Sequence, residues 1–424
     1  MTSKDFKVAI VGGGVCGLTC AVALARSGVS VELFEAAPKF EEIGAGIGVG
    51  PNAARVLRDI GVLDEVLAKA GESQLNQRTF RFISGLEGHE VLFEYPGRPD
   101  DSGLGIHRAS FLEALVGLLD PSIAHFHKRC TTVNVSPENP ARYILHFTDG
   151  TTHETDVVLG ADGIKSAVRA AVTSEPPGSR VAFSNTVAYR GLVPWKTLQE
   201  AGVKTDLTRR PVSFVGPDKH LILFPIKNDE VINIVAFVAD HHIPIGSANL
   251  APGAPWVSEV SQEELQKAYE GWGPDVVNIL KCIEKPSKWS IHVVYPLLET
   301  YTKGRIALLG DAAHGMLPHL GAGAGQGLED AWALARLLSH PQTNASNIES
   351  VLESYNRIRL PRSQMVWKGS ERAGEIYDGC GKHGLSAEGI QTDGDGQWSP
   401  VWHHDMNDDM QTALQWLKDT GVFS

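Results

Sequence analysis

The 424-residue chain is 42% hydrophobic with a formal net charge of -12, the profile of an ordinary globular protein long enough for two domains or one interleaved pair. The acidic balance argues against nucleic acid or an anionic membrane as a partner, and no apolar run reaches the roughly 20 residues needed to span a bilayer. Five cysteines without metal spacing, and no leader ahead of the first strand, lead us to expect a reduced, cytoplasmic setting.

Over residues 7–36 a short apolar strand runs into Gly12-Gly13-Gly14-Val15-Cys16-Gly17. A helix and a second strand follow, the latter closing on Glu35. This is a G-x-G-x-x-G fingerprint in full βαβ context. Gly12, Gly14 and Gly17 supply a tight turn, close approach to a pyrophosphate and close helix packing, and Glu35 supplies an acid for a ribose hydroxyl pair. A second glycine-rich loop, Gly44 to Gly50, precedes a helix predicted over 53–60. A nicotinamide dehydrogenase has no need of that loop, whereas a larger cofactor lying across the domain does.

Residues 77–95 alternate around Gly85-Leu86-Glu87-Gly88 and predict a hairpin. Arg108 opens the next helix, where its sign is wrong unless it meets a phosphate or carboxylate. After a β-rich stretch at 133–147, an apolar strand over 156–159 delivers Asp162-Gly163 into a glycine turn, where Asp162 reads equally as a helix cap. Residues 176–296 form a strand-rich module with a capping box at Ser261-x-x-Glu264. The pattern predicts an antiparallel sheet over the cofactor, one face lining a pocket.

The strand at 306–309 ends in Gly310-Asp311. Five glycines follow between Gly315 and Gly327, and a helix is predicted over 326–338. Ligands of open α/β sheets bind at the carboxyl ends of strands. A loop without Cβ atoms lets backbone approach a flat ligand, and a helix N-terminus favours negative charge. Three strand-to-glycine junctions, at Gly12, Gly160 and Gly310, imply one ligand at the crest of one sheet. The segment 347–424 starts as a helix near 351–360 and is then expected to become loops that cover the body of the protein. His241-His242 and His403-His404-Asp405 lack a third ligand at metal spacing, so no metal is expected and both are read as exposed loop residues.

These motifs resemble the single-component (class A) FAD-dependent aromatic hydroxylases, the group of para-hydroxybenzoate hydroxylase and, closer, salicylate hydroxylase. The resemblance rests on Gly12-x-Gly14-x-x-Gly17 with Glu35, on Asp162-Gly163, on Gly310-Asp311 and on the loop Pro318 to Gly327, in the family's order and spacing. The stretches Gly44 to Leu57, Ile106 to Ala109 and Tyr189 to Pro194 point to the salicylate-hydroxylase-like branch. It implies an α/β fold in which a Rossmann-type FAD-binding domain interleaves with an antiparallel-sheet substrate domain, plus a C-terminal helical and loop segment. The corresponding divisions are an FAD-binding domain at 1–75, 101–178 and 298–362, a substrate-domain hairpin at 76–100, a substrate domain at 179–297 and a C-terminal cover at 363–424.

Carried over residue by residue, Glu35 would hold the adenosine ribose, Arg108 the diphosphate or ribityl region, and Asp311 a ribityl hydroxyl. Asp162 would order the loop near the pyrophosphate and the nicotinamide. Gly48, Gly323 and Ala324 would meet the flavin. The implied reaction uses NADH or NADPH as transient co-substrate and O2 to hydroxylate a phenol through a C4a-hydroperoxide of the flavin, most simply a salicylate-type acid losing carbon dioxide to give a catechol. Arg190 and His220 are the expected catalytic residues, with Phe224, Pro318 and His319 in the substrate pocket. Phe224 stands where related dearomatising phenol hydroxylases carry Tyr. His220, four residues earlier, shares its strand face and is read as the base, against a purely structural histidine. The expected partners are the phenol, O2 and the nicotinamide, in a monomer or homodimer. A hydroxylase or dearomatase of a bulkier phenol, and a flavin-binding protein without turnover, stay open as alternatives.

Overall fold

The computed structural model describes residues 4–40, 46–77, 79–226, 229–251 and 253–424. Gly44 and Ala45, at the start of the second glycine-rich loop, lie outside them. A six-stranded sheet runs in the order 302–303, 306–308, 157–160, 7–11, 30–34, 124–125 and is parallel apart from its first pair. The three strands that end in glycine turns are therefore neighbours, and their turns pack against one another. A Cβ on Gly12 (φ +104°) would fall 2.3 Å from the Ala161 carbonyl oxygen, and one on Gly310 (φ +60°) would fall 2.7 Å from the Cys16 sulfur. Only glycine combines these backbone angles with that proximity. Burial pushes the Cys16 and Cys20 thiols far above the usual range.

The second layer is an eight-stranded sheet in the order 257–259, 287–294, 181–194, 231–239, 219–226, 212–216, 81–84, 91–94. The predicted hairpin forms its far edge, joining through a parallel pairing of Val212–Gly216 with Arg81–Ser84. Period-two alternation divides its faces. Leu221 and Leu223 pack with Val276 and Ile279 on one side, while Ile222, Val235 and Phe237 face the C-terminal segment on the other.

Two boundaries differ from expectation. The helix predicted over 326–338 is Gly323–Ser339, so its first turn is the Gly-Ala-Gly stretch itself. The helix read as ending near residue 360 is Ile348–Tyr377 and continues through Pro361. It is followed by the helices Ala387–Gly394, Ser399–Trp402 and Met406–Asp419 in place of loops. A proline inside a helix ordinarily costs about 3 kcal/mol. Here buried side chains on both sides of it hold the helix in place. Arg359 meets Asp330 and Glu329 at 2.7 Å each and also bonds Gln326, while Arg362 meets Glu329 at 3.1 Å and accepting carbonyls at Pro400 and Val401. Asp330 further accepts from the Gly310 N–H and from His314 Nε2 at 2.6 Å.

Burial opposes ionisation of Glu329 and Asp330, but the arginines and His314 prevail and hold both carboxyls at about 2, below their ordinary 4.5 and 3.8. Groups with a depressed folded pKa stabilise the fold above their unfolded value and lose that contribution as the pH falls through the folded one. We therefore expect the urea midpoint to fall steeply between about pH 4.5 and pH 2. Arg359→Ala leaves two buried carboxylates short of a partner and should lower stability by about 3–5 kcal/mol at pH 7; a urea titration showing less than about 1 kcal/mol of loss would contradict this role.

Candidate active site

A cavity of about 910 Å³ spans from the crest of the parallel sheet to the face of the eight-stranded sheet. Gly12, Gly14, Glu35, Gly48, Arg108, Asp162, Asp311, Gly323 and Ala324 line it at the crest, and Arg190, Phe224, Pro318 and His319 line it beneath the antiparallel strands. Two expected site residues lie off this surface. Gly17 packs the first helix against its turn, since a Cβ there would sit 1.9 Å from the Gly12 carbonyl oxygen. His220 is the other.

At the crest, one Glu35 oxygen accepts the Gly13 N–H at 2.6 Å and the other accepts the Ala37 N–H at 2.7 Å. Each keeps a second lone pair. Asp162 accepts from the Ser166 hydroxyl at 2.5 Å and from the Ala167 and Val168 N–H groups, which shapes the loop after it. Burial nonetheless pushes its carboxyl pKa up. The buried Arg169 bridges the carbonyls of Ile164 and Ala312, fastening this loop to the Gly310-Asp311 turn. The exposed Asp311 opens the short helix Asp311–His314 on the cavity wall. Gly323–Ser339 presents a first turn whose N–H groups lack helical partners. Around Gly48 a Cβ would meet nothing within 4 Å, so its backbone borders open cavity.

The opposite end is mostly apolar, with Ile222, Phe224, Val235, Phe237, Met316 and Leu317 on its walls. Two polar groups enter it. Arg190 stacks over the Trp289 ring at 5.1 Å, and among the described residues no carboxylate pairs with it. Burial, then repulsion from Arg108, lowers its pKa to about 10, so it stays cationic at neutral pH. His319 is buried yet lines the cavity, its imidazole accommodated by Gly374, where a Cβ would sit 2.6 Å from the ring. Burial, then His220, lowers its pKa to about 3, so it is neutral and can accept a proton.

His220 needs correction as a group touching substrate. It does share a strand face with Ile222 and Phe224, but lies beyond the end of the cavity. It is fully buried among Phe237, His319 and Tyr377. Its Nε2 is 3.2 Å from His319 Nδ1 and its Nδ1 is 2.6 Å from Asp378 Oδ1. His241, read as an exposed loop residue, is half-buried and places Nε2 2.8 Å from Asp378 Oδ2. His403 likewise pairs with Asp101 at 2.6 Å, and His404 with Asp409 at 2.7 Å. Several wall residues went unread in the sequence: Lys128 and Arg129 beside Glu35, and Trp402 from the C-terminal helices. Asp378 had no signal, because it caps a helix that was expected to give way to loops near residue 360.

Comparison with known proteins places this geometry. Residues 5–370 match the FAD binding domain family. Salicylate hydroxylase of Pseudomonas putida is 40% identical over 96% of this chain and 94% of its own length. A 6-methylsalicylate 1-monooxygenase of Aspergillus terreus is 34% identical over 96% and 89%. A solved salicylate hydroxylase substrate complex superposes with a TM-score of 0.85 at 32% identity, covering 97% of this chain and 98% of that one. The chain belongs to the FAD-binding-domain family and is a flavoprotein monooxygenase.

The monooxygenase's own residues fit FAD. The cavity is continuous from the Glu35 turn to the first turn of Gly323–Ser339, and its crest is walled by glycine backbone that a side chain would obstruct. At Gly48 a Cβ strikes no protein atom, so Gly48→Val is expected to fold normally while its isopropyl group occupies the cavity that FAD would fill. Its FAD affinity should fall by about tenfold or more, and Asp311→Ala by a similar factor through a lost hydrogen bond to a charged acceptor. Flavin content after gel filtration, with circular dichroism as the folding control, reads both; full retention of flavin in both variants would refute the placement.

Proposed function

We propose that this monooxygenase hydroxylates a phenolic acid of the salicylate type, with loss of the carboxyl group as carbon dioxide. The observation that carries this is Arg190, a cation in an apolar pocket with no carboxylate partner among the described residues, in the same cavity end as the neutral His319. Desolvated cations are stable where an anion will meet them, and a guanidinium matches a carboxylate in two-point geometry. A relative named for salicylate and another named for 6-methylsalicylate support the same substrate class.

On this reading Glu35 holds the adenosine ribose, Arg108 the diphosphate or ribityl region, and Asp311 a ribityl hydroxyl. The backbone at Gly48, Gly323 and Ala324 borders the flavin. The helix Gly323–Ser339 aims its positive end at that ring system, where electron density rises on reduction. Bound FAD, reduced by NADH or NADPH, supplies the activated oxygen from O2. The chain's part is positional and acid–base. Arg190 takes the substrate carboxylate and Phe224 and Pro318 confine the ring. His319 accepts the phenolic proton as its oxygen becomes electron-rich, while the apolar walls exclude water from the reacting carbon.

NADH oxidation with salicylate should yield catechol and carbon dioxide; flavin-dependent peroxide release without catechol would remove salicylate as the substrate. Arg190→Ala should weaken salicylate binding roughly 10- to 150-fold, the value of a hydrogen-bonded charge partner, yet leave unsubstituted phenol binding nearly unchanged. Equal weakening for both ligands in a spectral titration would show that Arg190 does not meet the carboxylate.

A further inference from the structure

The four groups His319, His220, Asp378 and His241 make one unbroken hydrogen-bonded line from the cavity to the surface. The successive separations are 3.2, 2.6 and 2.8 Å. His220 and Asp378 have no exposed side-chain surface, whereas the His241 side chain is 23% exposed. The line joins four separate segments, the loop before Gly323–Ser339, the strand Lys219–Ile226, the C-cap of Ile348–Tyr377 and the turn after Val231–Ala239, so no local turn requires it. We propose that it is a proton relay, in which His220 and Asp378 position His319 and His241 discharges the proton to solvent.

The tautomers follow from the carboxylate. Asp378 accepts only, so His220 must carry its proton on Nδ1 and His241 must carry one on Nε2. His220 Nε2 is then an acceptor, and His319 donates to it from Nδ1. That leaves the lone pair of His319 on Nε2 for the substrate. When the phenolic O–H breaks, its proton joins His319 Nε2, the Nδ1 proton of His319 passes to His220 Nε2, and the positive charge comes to rest beside Asp378. His319 alone holds a proton poorly, because burial and His220 oppose it. Asp378 stays ionised, since the field and hydrogen bonds of His220 and the bond from His241 overcome its burial and hold it at about 2. The hydrogen bond to Asp378, with Glu375 and Asp218 nearby, raises the His241 pKa and so favours its protonated form. A cation at His220 competes with that form for the same carboxylate, and His241 then gives a proton to water. One proton enters at His319 and one leaves at His241, with none crossing the carboxylate. The other titratable groups at the line are Cys380, Tyr269 and Tyr377, all raised by burial and uncharged at neutral pH.

The proposal rests on a phenolic substrate, and its test separates the two readings. Oxidised FAD-holoenzyme is mixed with salicylate in weak buffer, with a pH indicator reporting proton release and the ligand spectrum reporting binding. Wild type should release a proton as it binds. His241→Gln and Asp378→Asn should slow that release by about 100-fold, within the range of general acid–base catalysis, while the salicylate Kd changes little. Added imidazole should restore the rate in His241→Gln, which a structural role would not allow. His241→Gln, at a partly exposed position, keeps the test decisive where Asp378→Asn disturbs folding. Salicylate binding without proton release, or release at the wild-type rate in His241→Gln, overturns the relay alone. A wild type that binds neither salicylate nor other phenolic acids overturns the substrate reading, and the relay's role with it.

Discussion

Glu329 and Asp330 are consecutive, fully buried carboxylates on the helix Gly323–Ser339, and three other parts of the chain are fixed by reaching them. Asn52 donates to Glu329 at 2.7 Å from the helix after the second glycine-rich loop. The Gly310 N–H and His314 donate to Asp330 from the strand-end turn. From the long C-terminal helix Arg359 reaches both and Arg362 reaches Glu329. Each charge is matched and hydrogen-bonded, the condition under which burial of ions is tolerated. Loss of one partner would leave the others desolvated and unpaired. The cluster therefore sets the angle at which the Gly-Ala-Gly turn meets the cavity, and with it the seat proposed for the flavin.

From that seat the cavity changes character over its length. The crest is backbone with the acids Glu35, Asp162 and Asp311 and the cations Arg108, Lys128 and Arg129, suited to hydroxyls and phosphates. The far end is aliphatic and aromatic, with one guanidinium and one imidazole. The division follows from the architecture. Parallel strands end in turns that offer N–H groups, while the antiparallel sheet offers every second side chain of Lys219–Ile226 and Val231–Ala239 as a wall. A flat cofactor between the two layers would meet polar contacts along its chain and a water-excluding space at its ring.

The long helix Ile348–Tyr377 joins the two ends. Near its middle it supplies Arg359 and Arg362 to the flavin side. At its C-cap it supplies Asp378, and one turn earlier Gly374 makes room for His319. A carboxylate at a helix C-terminus faces the negative end of the helix dipole, so Asp378 depends on His220 and His241. Interruption of this helix at Pro361 would separate the cofactor seat from the histidines, which is the physical reason its continuity matters.

The sequence by itself determined the crest of glycine turns on the parallel sheet. Gly12, Gly14, Gly17, Glu35, Asp162 and Gly310-Asp311 act through backbone geometry within a few residues of their neighbours, so local pattern carries their meaning. It also determined the period-two faces that put Phe224 on the cavity, and the hairpin at the sheet edge. Only the tertiary structure decided the rest. Pro361 stays helical because buried ion pairs outweigh its lost hydrogen bond. His220 withdraws from the cavity because its strand outruns it. His319 reaches His220, 99 positions away, and through it Asp378 and His241, brought together by no spacing that a linear pattern could hold. Contacts between residues so far apart in the chain are fixed by packing, and packing is settled only when the whole chain has folded.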